Sequence, residues 1–86
     1  MSLDELVIGN CYEFSSFGKS QFMVLEHGYE SKPNQSYETD FETDAWGDYA
    51  LVSYGIGDNR KLYMRECKYI IFVPISKDEF LIGCIN

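Results

Sequence analysis

The sequence predicts an all-β fold: a small antiparallel barrel formed by a single domain over residues 1–86. Three observations predict it. Runs rich in β-branched and aromatic residues recur at intervals of about 8–12 residues, a rhythm of small barrels and sandwiches. After Gly9, no apolar spacing supports an amphipathic helix of ten or more residues. A chain of this length hides only about 60% of its unfolded surface on folding. That leaves too little apolar area for two full sheets, so a bent, closed sheet is expected.

The elements follow in chain order. Ser2 with Glu5 three residues on has capping-box spacing, so one short helical turn is expected at the N-terminus, stopped by Gly9-Asn10. Residues 11–14, Cys-Tyr-Glu-Phe, form a short strand, and 15–20 a turn. Phe22 to Leu25 is a continuous apolar run, which suits a strand covered on both faces. Residues 31–36 contain Pro33, Asn34 and two serines and read as a loop. Residues 37–43 alternate as a strand. Trp46-Gly47-Asp48 is read as a turn, and 49–54 as a strand. Residues 55–59 form a glycine-rich hairpin loop. Residues 61–67 alternate again, with Leu62 and Met64 on one side and Lys61, Tyr63 and Arg65 on the other. Tyr69 to Val73 is the strongest candidate for a buried strand. Ser76-Lys77-Asp78 reads as a turn, and Phe80 to Ile85 as a final strand. Closure would hide the edges that Ile70-Ile71-Phe72 and Phe80-Leu81-Ile82 otherwise expose. The strand rhythm resembles that of small SH3-like barrels.

Composition narrows function. The chain is 45% hydrophobic, which excludes disorder as its main state. Fourteen acids against seven bases give a formal charge of −7. That surplus argues against direct nucleic-acid binding, although Arg60 to Arg65 interleaves bases with Leu62, Tyr63 and Met64 in a manner that suits single strands. The first residues carry acids ahead of any base and only a short apolar run, so no secretory leader is expected. No apolar stretch approaches the roughly 20 residues of a membrane span. A cytoplasmic location follows as the expectation.

The motifs that carry chemistry are incomplete. Gly18-Lys19-Ser20 ends like a phosphate-binding loop, but Glu13 stands where the first glycine belongs and a strand follows. Gly55-Ile56-Gly57 begins a dinucleotide fingerprint that Arg60 breaks. Asp40, Glu42 and Asp44 have the one-three-five spacing of a calcium loop, but Ala45 and Leu51 occupy its sixth and twelfth positions. Cys11, Cys67 and Cys84 include no Cys-x-x-Cys pair and read as reduced, mostly buried thiols. A zinc site would have to gather all three with His27. That lone histidine reads as a surface residue near a loop. The expectation is a non-enzymatic chain with no cofactor.

One segment is organised. Residues 37–48 hold five acids and no base. In an extended strand Glu38, Asp40, Glu42 and Asp44 project from one face, about 6.8 Å apart. Their mutual repulsion in water is about 0.6 kcal/mol per pair before salt screening. Such a row can be a solvated border strand that resists aggregation. It can also be paired internally, because Lys61 and Arg65 could lie opposite it. Functionally, it can dock on a basic partner, with Tyr37, Trp46 and Tyr49 as aromatic anchors. One DNA strand carries a charge per about 3.4 Å, so the row is too sparse to imitate a long duplex. The sequence thus predicts a protein-interaction module, an adaptor or small inhibitor, that binds a basic protein through Glu38, Asp40, Glu42, Asp44, Tyr37, Trp46 and Tyr49. The alternative is a small-ligand or nucleotide-metabolite binder with a pocket in the barrel or at a subunit interface. A homodimer formed by edge pairing is a further expectation.

Overall fold

A computed structural model describes residues 1–14, 20–32 and 44–85. A 3-10 turn spans Leu3–Glu5. Five strands follow: β1 (Cys11–Phe14), β2 (Gln21–Glu30), β3 (Gly47–Ser53), β4 (Asn59–Tyr63) and β5 (Phe72–Ile75). A single helix, α1 (Lys77–Ile85), ends the described chain. The expected turn at 15–20, except Ser20, and the expected strand at 37–43 lie outside the described residues, as does most of the loop at 31–36.

The strands form one antiparallel sheet in the order β4-β3-β2-β1-β5. β2 is its longest strand and pairs with both β1 and β3. Its register shifts between Val24 and Glu26, a bulge at Leu25 that bends the strand. The fold is therefore antiparallel and mostly β. Among the described residues, however, the sheet is open, because β4 and β5 are its two borders. Both borders carry features that discourage further pairing. Pro74 in β5 has no N–H to offer, and β4 carries Arg60 and Lys61.

The core lies on one face of the sheet. Tyr12 stands opposite Phe22, Val24 opposite Val52, and Phe14 opposite Phe72. Phe22 is completely buried and is the hub of an aromatic cluster. Its ring centroid lies 5.3 Å from that of Phe14 and 6.0 Å from those of Tyr54 and Phe72. The N-terminal segment closes over this face with Leu3 and Leu6. The expected capping box is present: Ser2 and Glu5 bond reciprocally across the 3-10 turn. Tyr12 holds the same segment by accepting the Val7 N–H at 2.9 Å.

Two expected strands are corrected. Residues 69–71 are not a buried strand: Tyr69 is 93% exposed and Ile71 61%. After β4 the chain instead coils tightly, with the Cys67 and Ile70 N–H groups donating to Tyr63 and Cys67 carbonyls at 3.1 Å. This coil turns Met64, Cys67 and Ile70 toward the core at a spacing of three, the period of a 3-10 helix rather than a strand. Residues 80–85 are not a strand either but belong to α1. Ser76 Oγ accepts the Glu79 N–H at 3.1 Å, and Asp78 and Glu79 occupy the first turn, where acids suit the helix dipole. Trp46-Gly47-Asp48 is likewise not a free turn, because β3 already begins at Gly47, whose φ of 88° admits glycine with least strain.

Candidate interaction surface

The face opposite the core is the one with room to act. Along β3 it presents Gly47, Tyr49, Leu51 and Ser53, and along β2 beyond the bulge Glu26, Gly28 and Glu30. α1 rests on β2, with Phe80 as its buried contact.

Of the residues expected to form a site, Tyr37, Glu38, Asp40 and Glu42 lie outside the described residues. Asp44, Trp46 and Tyr49 are brought to one border of this face. Arg65 reaches back across Gly47. Its stem would sit 3.6 Å from a side chain added there, its guanidinium lies 3.9 Å from the Trp46 ring centroid, and its Nε is 3.6 Å from Asp44. Lys32 approaches the same ring at 5.5 Å. Trp46 is therefore half-buried beneath the chain's own cations.

Tyr49 is fixed in a different way. Its ring lies over Gly28 on the neighbouring strand, so a Cβ there would stand 2.5 Å from the ring. Tyr63, directly opposite in β4, packs beside it with centroids 5.8 Å apart, and Lys61 Nζ lies 5.0 Å from the Tyr49 ring. Glu30 completes the cluster. Its two oxygens accept from Lys61 Nζ and from the Tyr63 hydroxyl, each at 2.7 Å. These bonds, the Lys61 one foremost, lower the Glu30 pKa, and Glu30 in turn raises those of Lys61 and Tyr63. Of the two bases expected to face the acidic segment, Arg65 does so through Asp44, whereas Lys61 is held by Glu30.

Sequence reading missed Lys32, Gly28, Glu30 and Tyr63 as parts of this surface. Gly28 carried a signal: an isolated glycine within a strand marks a close approach by a neighbour. The pairing of Glu30 with Lys61 spans 31 positions and had none.

The remaining candidates resolve simply. His27 lies within β2 opposite Ala50 and is exposed, a surface residue as expected. Its Nε2 is 2.6 Å from the Leu6 carbonyl oxygen. A carbonyl only accepts, so Nε2 carries the proton and ties down the N-terminal segment. Cys11 and Cys67 are buried as expected, and desolvation pushes the Cys67 thiol up to about 11. Cys84 is instead exposed on α1. Among the described residues no group of three or more His, Cys, Asp or Glu side chains is placed to hold a metal ion. No described helix is long and apolar enough to cross a membrane. Comparison of the chain with protein-family models, with curated proteins and with solved structures finds no match.

Proposed function

We propose that this chain is a non-enzymatic protein-interaction module, built on a bent, SH3-like sheet, that presents the acidic segment 37–48 to a basic partner. The observation that carries this reading is the anchorage of the segment's C-terminal end. Asp44 and Trp46 are held by Arg65, and Tyr49 is seated on Gly28. A docking segment whose end is already fixed loses less conformational freedom on binding, which favours affinity. The ion pairs of the surface do not consume the charge surplus. Each joins one acid to one base, so the formal charge stays at −7. A negative field of that kind steers a basic partner and speeds its association.

The test is affinity capture from the native host at low and high salt. The bait is either the natural chain or the variant Glu38→Gln, Asp40→Asn, Glu42→Gln, Asp44→Asn. A basic protein held by the natural chain, released by salt and lost by a variant with unchanged circular dichroism is the expected result. Equal capture by both baits at low salt overturns the reading.

A further inference from the structure

Beside Trp46, where the chain leaves β4 and coils through residues 64–70, Asp44, Arg65, Glu66, Lys68 and Tyr69 line an open cavity of about 340 Å³. That is within the range of small-molecule sites. Arg65 is its most firmly held member. The guanidinium is stacked 3.9 Å from the Trp46 ring centroid, and the stem crosses Gly47. Its Nε lies 3.6 Å from Asp44, an ion pair but too long for a hydrogen bond. The two Nη groups therefore make no hydrogen bond among the described residues. Lys68, three residues on, has no ion pair or hydrogen bond among them either.

Each lining group asks for a different part of a ligand. A guanidinium whose plane is fixed by stacking presents a fork that matches a phosphate, and a lysine beside it adds a point charge. Asp44 is already paired with Arg65, but Glu66 repels a bare anion. The anion must therefore be joined to hydroxyl groups that can donate to that carboxylate. Tyr69 is 93% exposed and offers an aromatic plane on which a flat ring can stack. Phosphate, neighbouring hydroxyls and a flat ring come together in a nucleotide. We propose that this cavity binds a nucleoside monophosphate. The phosphate lies on Arg65 and Lys68, a ribose hydroxyl donates to Glu66 as acidic side chains do in dinucleotide sites, and the base stacks on Tyr69. The formal charge of −7 does not forbid it, because charges more than about 8 Å away are screened at physiological salt. The site uses none of Glu38, Asp40 and Glu42, so it does not depend on the docking of segment 37–48.

The test titrates the whole chain with adenosine 5′-monophosphate, adenosine, ribose 5-phosphate and inorganic phosphate. Trp46 is the single tryptophan and lies against Arg65, so its emission reports on the site. At physiological salt the monophosphate should bind more tightly than each of the other three by about fivefold or more. Arg65→Lys keeps the charge but loses the fork, and should weaken it by about tenfold. Tyr69→Ala should weaken the monophosphate by about fivefold and leave inorganic phosphate unchanged. Glu66→Ala should move the two in opposite directions, the monophosphate weaker and inorganic phosphate tighter, which a general loss of structure cannot do. Chemical-shift changes centred on Arg65, Lys68 and Tyr69 of the natural chain give a readout that needs no variant. The proposal is overturned by adenosine or ribose 5-phosphate binding as tightly as the monophosphate, or by undiminished binding to the Arg65→Lys chain. It is equally overturned if Glu66→Ala moves both probes the same way, if the shift changes centre elsewhere, or if none of the four probes binds saturably.

Discussion

On the core side of the sheet, Tyr12, Phe22, Val24, Ala50, Val52 and Phe72 are all buried in one cluster that the N-terminal segment and the 64–70 coil close over. On the opposite side of the same strands, closure is partial. α1 contributes Phe80, the Tyr49–Tyr63–Lys61–Glu30 cluster covers the far end, and Leu25, Ile56 and Leu81 are left to solvent. A chain of 86 residues has enough apolar surface to finish one such layer and to begin a second. The first layer holds the domain together, and the second leaves Leu25, Ile56 and Leu81 open to solvent.

The largest expected effect breaks the first layer. Phe22→Ala removes the hub of the aromatic cluster and leaves a cavity between Tyr12, Phe14, Tyr54 and Phe72. It should cost about 3–5 kcal/mol in chemical denaturation, a large share of the stability of a domain this small. Leu81→Ser on the other side should stay within about 0.5 kcal/mol, as at other exposed positions. A Leu81 effect as large as the Phe22 effect would show that the second layer is core as well.

Next in size is the attachment of α1. Ser76→Ala removes the acceptor for the Glu79 N–H and should cost about 1 kcal/mol. A nine-residue helix is marginal by itself, so the loss should appear as reduced ellipticity at helical wavelengths and faster amide exchange in 77–85, with β2 unaffected. Uniformly faster exchange throughout the sheet would mean that α1 is integral to the core.

These two sites also show how far the sequence could be read. The core strands were legible because their β-branched and aromatic composition marks them as extended. The apolar run at 22–25 does not say which side chains face the core; burial supplies that alternation. Tyr12 and Phe14, Phe22 and Val24, and Ala50 and Val52 each alternate, and the strands at Cys11–Phe14 and Gln21–Glu30 emerge nearly as expected. α1 was misread because Phe80-Leu81-Ile82 is a short apolar run, which periodicity alone cannot assign to strand or helix. The deciding signal was local: Ser76 and Glu79 repeat the spacing of Ser2 and Glu5. The 64–70 coil was misread for the opposite reason. Tyr69-Ile70-Ile71 looks like strand by composition, whereas the coil's core-facing residues, buried Cys67 and half-buried Met64 and Ile70, recur every third residue. Of the surface, Asp44, Trp46 and Tyr49 could be picked out as neighbours in sequence. Their partners Arg65, Gly28 and Tyr63 come from other elements, and register decides those pairings.

An effect of similar size sharpens the contrast between layers at Gly28. Alanine there drives its Cβ into the Tyr49 ring, 2.5 Å away, and the ring is the movable party. Gly28→Ala should displace it from Tyr63 and Lys61 at a cost of about 1 kcal/mol. The Tyr63 ring resonances should shift, while those of Phe22, on the other face, should not. Movement of both would mean that the two layers are coupled through β2.

The smallest effect is electrostatic and confined to the second layer. The Glu30 pKa lies below its ordinary 4.5, first because Lys61 donates to it and then because Tyr63 does. A carboxylate lowered in the folded state stabilises above its ordinary value, and that contribution is lost as pH falls through the lowered one. The Lys61 and Tyr63 pKa values lie above their ordinary 10.5 and 10.0, chiefly through their bonds to Glu30. Groups raised in this way stabilise below their ordinary values and lose that contribution as pH climbs through the raised ones. The cluster is thus fully formed between about pH 5 and pH 9. Glu30→Gln keeps an acceptor but no charge. The difference in thermal midpoint between the natural chain and this variant should be flat across that window and shrink toward both extremes, more so at low salt because the groups are exposed. The two profiles running parallel into acid and alkali would show that Glu30, Lys61 and Tyr63 are solvated independently in solution, and that the far end of the second layer is held by the Tyr49–Gly28 contact alone.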